Sequence, residues 1–258
     1  MDYLHRGRAS VDSVDFMMEF LKSVEKVKEF ILDIFYPKTC VGCKKEGKYI
    51  CDKCNLFISE APLMCPVCYK PSFGGETHLE CKRKYSLDGL LSVWEYEGLI
   101  KKMIYEAKLN GVYDIIKESI ADFFRLSLTD ERFHPFLSFL FSENTYITYV
   151  PMWRKKEKKQ GFNQTEIIAK ELAKTSDSKV VSFLDKRFDT KKQTELGKKE
   201  RLENIKNSFG IKNYNSEALN LVLVDDVFTS GATMKECSKT LKKSGIKKVW
   251  GFTIARTP

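Results

Sequence analysis

The sequence predicts an α/β protein whose main domain is built on a parallel sheet and is preceded by a small cysteine-rich module. Two observations support this. From residue 90 onward, segments with strand and helix patterns alternate, and seven of the eight cysteines lie between Cys40 and Cys81. Strands that alternate with helices form parallel sheets with helices on their faces. The 258 residues suffice for one α/β domain of ordinary size and a smaller module.

The N-terminal segment has the pattern of one amphipathic helix. Over residues 16–36, apolar side chains recur at spacings of three and four, among them Phe20, Val24, Val27 and Ile31. Pro37 ends this pattern. Such a helix either packs on the rest of the protein or binds a membrane surface or a partner, and the sequence leaves both readings open. We therefore divide the chain into an N-terminal extension with the amphipathic helix (1–37), the cysteine-rich module (38–85) and the α/β domain (86–258).

Composition and charge narrow the class of protein. Hydrophobic residues make up 43% of the chain, which is typical of a globular protein. No run of about 18 apolar residues indicates a transmembrane segment, and residues 1–15 lack the pattern of a signal peptide, so we expect a cytoplasmic protein. The formal net charge of +9 suits a nucleic-acid or phosphate-rich partner without being specific for one.

Four pairs of potential metal ligands share one spacing. Two residues separate the members of each pair, which lets both side chains reach one tetrahedral ion about 2.3 Å from each sulfur. The pairs are Cys40 with Cys43, Cys51 with Cys54, Cys65 with Cys68, and His78 with Cys81. In a cytoplasmic protein, cysteines clustered in this way indicate a metal more than disulfides.

Eight ligands are enough for two closed Zn²⁺ sites, one with four cysteines and one with three cysteines and His78. A closed site has no position for water, so we assign this zinc to folding and not to catalysis. Spacing leaves open whether neighbouring pairs share an ion or the first pair joins the third. Cys237 lies on a predicted helix far from these pairs and is interpreted as a core residue.

The remaining chain predicts five strands and the helices between them. We expect strands at 90–96, 145–150, 180–184, 219–224 and 246–255. We expect helices at 98–109, 112–128, 163–174 and 232–243. Asn163 is a plausible cap for the third of these helices. The charged run 154–159 is interpreted as a solvated loop, and residues 189–208 are polar throughout.

One stretch joins a buried strand to a loop that suits an anion. Residues 221–224 are apolar and are followed by Asp225 and Asp226. In an open parallel sheet, ligands bind beyond the carboxyl ends of the strands. The loop amides and the helix N-terminus would bind an anion, with hydroxyl groups as further donors, over Thr229, Ser230, Gly231, Ala232 and Thr233.

Two carboxylates just before an anion site would repel a phosphate, so they are expected to face another part of the ligand. Ionised carboxylates accept hydrogen bonds and do not donate them, so they suit the hydroxyls of a diol. We therefore expect a sugar whose phosphate lies in the loop and whose hydroxyls face Asp225 and Asp226. The alternative is an ordinary strand–turn–helix connection.

This stretch resembles the ligand-binding motif of type I phosphoribosyltransferases, in which apolar residues precede Asp-Asp and Thr-x-Gly-x-Thr. The resemblance implies that Asp225 and Asp226 hold the ribose hydroxyls of 5-phosphoribosyl pyrophosphate and are the candidate catalytic residues of any transfer. It implies that 229–233 hold the 5′-phosphate, with Val227 and Phe228 completing the site. Mg²⁺ is expected to accompany this ligand.

The chain as a whole, over about residues 16–257, resembles the ComF family of DNA-uptake (competence) proteins, which place a cysteine-knuckle module before such a domain. The matching stretches are Phe35-Tyr36-Pro37, Tyr96-Glu97-Gly98, Lys108-Leu109-Asn110-Gly111, Val150-Pro151, Gly161-Phe162-Asn163-Gln164, and Arg187 with Thr190, Gln193, Arg201, Asn204 and Phe209. One departure is Gln160, where the family has an arginine; Lys158 and Lys159 stand next to it.

The resemblance assigns roles to two further segments. Residues 151–156, with Met152 and Trp153, would be the pyrophosphate loop. Residues 189–208 would close over the ligand, and their polar, aperiodic composition agrees with a lid, a plain surface loop being the alternative.

The family resemblance implies a DNA-uptake factor of natural transformation. Such a protein would bind phosphoribosyl pyrophosphate and single-stranded DNA and would work with the uptake helicase and channel at the cytoplasmic side of the membrane. The alternatives are a phosphoribosyltransferase of nucleotide salvage acting on a nucleobase, and a binding module that senses the ligand. We name no base-reading residue, and the zinc module occupies the position where a salvage enzyme has its base-selecting hood.

Aromatic residues next to basic ones are the candidate contacts for single-stranded DNA. Cationic side chains follow the phosphate backbone, and aromatic faces stack bases without reading sequence. The candidates are Trp153 beside Arg154, Phe162 after Lys158 and Lys159, and Tyr49 after Lys48. For Phe162 the alternative is packing in the core.

Overall fold

The computed structural model describes residues 37–110, 113–189, 205–212 and 220–258. The chain divides into two compact units between Leu56 and Phe57. The amphipathic helix predicted over 16–36 lies outside the described residues, as does most of the polar segment 189–208.

In the smaller unit, residues 37–56 form a knuckle and one short helix. The N–H of Lys44 donates to the carbonyl of Cys40, and the N–H of Cys40 donates to the carbonyl of Lys45, both at 2.8 Å. Helix α1, Asp52–Asn55, begins directly after Cys51 and buries none of its residues. Because these residues bury so little apolar surface, backbone hydrogen bonds and the cysteine cluster hold this segment together.

The larger unit is built on a five-stranded sheet. The strands of this unit are β1, Gly89–Glu95; β2, Thr145–Tyr149; β3, Lys179–Val180; β4, Leu184–Lys186; β5, Phe209–Ile211; β6, Asn220–Phe228; and β7, Lys248–Arg256. The main sheet has the order β1-β7-β6-β2-β3, and every neighbouring pair in it is parallel. Strands β4 and β5 form a separate antiparallel pair. The predicted α/β class with a parallel sheet is confirmed.

Six α-helices accompany these strands among the described residues of the larger unit. They are α2, Gly98–Asn110; α3, Asp114–Ser127; α4, His134–Leu140; α5, Arg154–Gln160; α6, Gln164–Ser176; and α7, Ala232–Lys243. The predicted cap of α6 is confirmed, since the Asn163 side chain accepts from the N–H of Thr165 at 3.2 Å. The sequence analysis did not predict α4, which begins with a proline in its first turn and buries Phe136, Leu137 and Leu140.

The interpretation of residues 154–159 as a loop is wrong, because they form helix α5. The run has no apolar stripe, so helical periodicity gave no signal. Gly161, in the left-handed conformation with φ of 85°, ends the helix. The strand predicted at 180–184 is instead divided between β3 and β4.

Strand β6 lies in the middle of the sheet and fixes the position of the candidate site. Residues 221–224 are fully buried, as predicted for a strand covered on both faces. On β7, Phe252 stacks against Phe124 and Phe136 at ring-centroid distances of 6.0 and 5.7 Å. Helix α7 buries Cys237, which confirms this cysteine as a core residue.

Candidate ligand cavity and metal centres

A cavity of about 660 Å³ opens at the carboxyl ends of β2 and β6. Nearly all the residues predicted to bind ligand line it: Asp225, Asp226, Val227, Phe228, Thr229, Gly231, Ala232, Thr233, Met152 and Trp153. Ser230 is not part of the lining, and its hydroxyl accepts from the N–H of Ala232 at 3.4 Å. The edge of the sheet therefore gathers these residues from two separate segments of the chain, as expected for an open parallel sheet.

Gly231 turns the chain from strand β6 into helix α7. Its φ of 66° is left-handed, a conformation that other residues rarely adopt. A Cβ here would lie 2.6 Å from the ring of Phe228. The loop thus folds tightly over Phe228 and brings the first turn of α7 to the cavity wall.

The two carboxylates occupy different environments. Asp226 forms an ion pair with Lys108 at 2.6 Å. Burial, and after it the Asp226 carboxylate, raises the pKa of Asp225 to about 8. Burial alone would lower the pKa of Lys108, but the Asp226 carboxylate outweighs it and the pKa rises. In the ligand-free site the raised pKa favours the protonated form of Asp225 near pH 7, whereas Asp226 pairs with Lys108.

Three lysines give the cavity its positive charge. Lys108, Lys156 and Lys186 all line it. Burial, and then the charge of Lys156, lowers the pKa of Lys186. Lysines beside carboxylates suit a ligand that carries both phosphate and hydroxyl groups.

The sequence analysis assigned no role to Lys108 or Lys186. Lys108 stands in one of the stretches that match the family, which was the available signal. Lys186 lies on the short strand β4, where nothing in the local pattern indicates that the side chain reaches a cavity.

Neighbouring pairs of cysteines form the first metal cluster, in the smaller unit. The sulfurs of Cys40, Cys43, Cys51 and Cys54 lie within 4.8 Å of one another. The Cys43 and Cys51 sulfurs are 3.6 Å apart, and four sulfurs around a tetrahedral Zn²⁺ would be about 3.8 Å apart. Although burial opposes ionisation, backbone N–H groups lower the pKa of Cys40 to about 6, which favours the thiolate that a metal binds.

The second cluster, in the larger unit, contains Cys65, Cys68, His78 and Cys81, again within 4.8 Å. The Nδ1 atom of His78 lies 3.3 Å from the Cys68 sulfur, and Nε2 lies 3.0 Å from the Pro71 carbonyl oxygen. A carbonyl only accepts, so Nε2 carries the hydrogen and Nδ1 is left to face the cluster, as metal-binding histidines are commonly oriented. Burial opposes ionisation of Cys65 too, but backbone N–H groups lower its pKa to about 7.

Both clusters fit Zn²⁺. Each offers four soft or borderline ligands that converge on one point, and all eight cysteines are unbridged. Of the two pairings that spacing left open, the structure joins the first pair to the second and the third to the fourth.

The candidate DNA contacts have different surroundings. Trp153 lines the cavity and is partly exposed, next to helix α5 with its exposed Lys155, Lys158 and Lys159. Phe162 packs edge-on against Tyr113 at 4.4 Å, which agrees with a packing role. Lys38 lies over the ring of Tyr49 at 5.6 Å.

Within the described part of the chain, no helix has the length and apolar character needed to cross a bilayer.

Known proteins are similar to most of this chain. It is 28% identical over 230 residues to competence protein ComFC of Bacillus subtilis (strain 168), covering 85% of each sequence. It is 26% identical over 224 residues to competence protein F of Haemophilus influenzae, covering 84% of this chain and 90% of the relative. It is also 26% identical over 216 residues to DNA utilization protein YhgH of Escherichia coli (strain K12), covering 81% and 90%. No family model matches the chain.

The clusters predict the metal content. We expect two Zn²⁺ ions per chain, because each cluster offers four converging ligands. His78→Ala removes one ligand from the second cluster and should lower the content toward one ion. Elemental analysis of gel-filtered protein measures this, with Cys237→Ala as the control that keeps two ions. Well-folded wild-type protein without metal would contradict the assignment.

The partly buried carboxyl group of Asp225 predicts a pH-dependent stability. Because the pKa of Asp225 rises to about 8 on folding, the folded chain keeps a proton that the unfolded chain has lost. The free energy of unfolding therefore falls as the pH rises from the unfolded to the folded pKa of Asp225, at most by about 1.4 kcal/mol per pH unit. Asp225→Asn should stabilise the ligand-free protein, and its advantage should grow from pH 6 to pH 8 and then level off.

Denaturant unfolding of the larger unit from pH 6 to pH 9 measures this advantage. Asp114→Asn, which changes an exposed carboxylate on α3, is the matched control and should show no such trend. A pH-independent difference between Asp225→Asn and the wild type would show that Asp225 is not buried as a neutral group.

Proposed function

Because the chain resembles the ComF family over most of its length, we propose that it is a DNA-uptake protein of the competence type whose cavity binds 5-phosphoribosyl pyrophosphate. The observation that supports this ligand is the arrangement of residues where β6 joins α7. There an anion loop follows two residues after Asp225 and Asp226, and both the loop and the carboxyl groups open into one lysine-lined cavity. A sugar phosphate with a free diol matches this order of groups.

In this proposal each end of the ligand has its own partners. The 5′-phosphate lies in the loop 229–233, where backbone amides and the helix N-terminus supply donors. The ribose hydroxyls face Asp225 and Asp226. The diphosphate faces Lys186 and the segment 151–156, which includes Lys156, Met152 and Trp153.

Mg²⁺ prefers oxygen ligands and is commonly bound through phosphates and a few carboxylates. It would bind here with the diphosphate oxygens of the ligand and neutralise part of their charge. The carboxylate oxygens of Asp225 and Asp226 at the cavity wall are the protein groups of suitable chemistry. Lys108, which pairs with Asp226 at 2.6 Å, holds the Asp226 side chain in place beside the ribose site.

The role in DNA uptake is supported by the names of the relatives, two of which are competence proteins and one a DNA utilization protein. Helix α5 adds a physical reason, since it exposes several lysines next to the partly exposed Trp153. Such a surface suits single-stranded DNA, whose phosphates bind the cations and whose bases stack on an aromatic ring. We place this activity at the cytoplasmic side of the membrane, together with the uptake helicase and channel.

The ligand assignment predicts the effect of two substitutions. Asp226→Ala should weaken phosphoribosyl pyrophosphate binding roughly ten- to a hundredfold, since a hydrogen bond with a charged partner contributes about 1.5–3 kcal/mol. Asp225→Ala, which removes a neutral carboxyl group, should weaken it roughly two- to tenfold. Isothermal titration calorimetry with Mg²⁺ present measures the affinity. Asp122→Ala on α3 is the control for loss of an exposed carboxylate. A double variant that binds like the wild type would exclude this site, and pyrophosphate release with added nucleobases would indicate a transferase.

The DNA assignment predicts salt-dependent binding. The logarithm of the affinity for single-stranded DNA should fall with the logarithm of salt concentration by about 0.7 per phosphate contact. Replacement of four lysines of α5 by Ala should flatten this slope: Lys155, Lys156, Lys158 and Lys159.

Fluorescence anisotropy with a labelled oligonucleotide measures the slope. The control removes the same charge elsewhere on the larger unit by replacing Lys117, Lys170, Lys174 and Lys248. No binding at the lowest salt, or an equal loss in both variants, would remove the contribution of α5 to DNA binding.

A further inference from the structure

We propose that Tyr69 is a positioning residue for the anion loop and that it links this loop to the second metal cluster. The link to ligand affinity rests on the function proposed above, whereas the link between loop and cluster does not. Tyr69 follows directly after the metal-ligand pair Cys65 and Cys68. It belongs to the same compact unit as the loop.

The knuckle fixes the backbone of Tyr69. Its φ is 62°, in the left-handed region that a tyrosine rarely adopts. The N–H of Tyr69 donates to the carbonyl of Cys65, and the N–H of Cys65 donates to the carbonyl of Lys70, both at 2.9 Å. An unfavourable conformation of this kind persists only where the surroundings hold it, here in the turn that carries two metal ligands.

The first cluster shows that this conformation belongs to the knuckle itself. Lys44 stands at the same place after Cys40 and Cys43, with φ of 64°, and its N–H donates to the carbonyl of Cys40. Both knuckles therefore turn the following residue in the same way. A metal ion that orders the second knuckle would set the direction in which Tyr69 leaves it.

The hydroxyl group of Tyr69 contacts both sides of the loop-to-helix junction. It donates to the carbonyl of Ser230 at 3.0 Å and accepts from the ammonium of Lys235 at 2.8 Å. The Lys235 ammonium also lies 5.0 Å from the centre of the Tyr69 ring. Tyr69, which directly follows the ligand Cys68, thus contacts Ser230 in the anion loop and Lys235 in the first turn of α7.

The ring of Tyr69 reaches the loop by a second route. Its centroid is 6.2 Å from that of Phe228, the residue over which Gly231 folds. Arg256 lies over the same Phe228 ring at 6.0 Å and is buried. The loop therefore rests on Phe228, and Phe228 in turn contacts both Tyr69 and Arg256. Loss of the turn that carries Cys65 and Cys68 would therefore remove two contacts of Tyr69 together: its hydrogen bond to Ser230 and its packing against Phe228.

Two bound species that both favour one loop conformation stabilise each other. If metal in the second cluster raises the affinity for phosphoribosyl pyrophosphate, the ligand raises the affinity for metal by the same factor. The first cluster belongs to the other compact unit.

Hydrogen–deuterium exchange of the ligand-free protein tests the link between loop and cluster. Tyr69→Phe removes the hydroxyl and keeps the ring, so exchange in peptides covering 228–235 should become faster. Cys81→Ser should do the same by disturbing the second cluster. Tyr85→Phe is the matched control, because the Tyr85 ring lies beside Lys243 in the last turn of α7 and the substitution keeps the backbone carbonyl that accepts from Ser238. Cys54→Ser is the control for the first cluster. Wild-type exchange at 228–235 in Tyr69→Phe would overturn the proposal.

Calorimetry on the same variants separates this proposal from the proposed function. Tyr69→Phe should weaken phosphoribosyl pyrophosphate binding roughly three- to tenfold, the effect of one hydrogen bond. If the wild type does not bind this ligand while Tyr69→Phe still speeds exchange in the loop, the ligand is wrong and the positioning role stands. If the wild type binds and Tyr69→Phe changes neither exchange nor affinity, the positioning role is wrong and the ligand stands.

Discussion

A carboxyl group partly buried at the end of a strand is unfavourable unless something compensates for the water it has lost. Here Asp225 compensates by keeping its proton, and Asp226 by pairing with Lys108. The arrangement of the cavity follows from this constraint. A lysine from α2 has to reach the end of β6, and the loop after β6 has to turn tightly away over Phe228. Groups arranged at the expense of stability are a common sign of a binding or catalytic site.

The metal clusters solve a different physical problem, the shortage of apolar surface in the cysteine-rich segment. Helix α1 buries nothing, and the knuckles are held by backbone hydrogen bonds and converging sulfurs. In the larger unit, we propose, the second cluster also contributes to the candidate site, because the turn that carries Cys65 and Cys68 fixes Tyr69, whose hydroxyl donates to the carbonyl of Ser230. A structural metal can thus act on a ligand site without touching the ligand.

The parts of the structure that were predictable are those encoded by neighbouring residues. Three Cys-x-x-Cys pairs and one His-x-x-Cys pair gave the eight candidate ligands, and one apolar run followed by Asp-Asp gave the end of β6. The pairing of knuckles was not predictable, since it depends on how the chain folds back between them. Helix α5 was missed because its lysines leave no apolar stripe. Lys108, Lys186 and Tyr69 act across long separations in the chain, where no local pattern reports which side chains will meet.

The central claim is that one edge of the sheet holds a phosphoribosyl ligand between an anion loop and two carboxylates. A crystal structure of the protein with 5-phosphoribosyl pyrophosphate and Mg²⁺ tests it most directly. The account predicts the 5′-phosphate within hydrogen-bond distance of backbone amides in 229–233 and the ribose hydroxyls beside Asp225 and Asp226. A ligand bound elsewhere, or a cavity that stays empty at saturating ligand in solution and crystal alike, would contradict it.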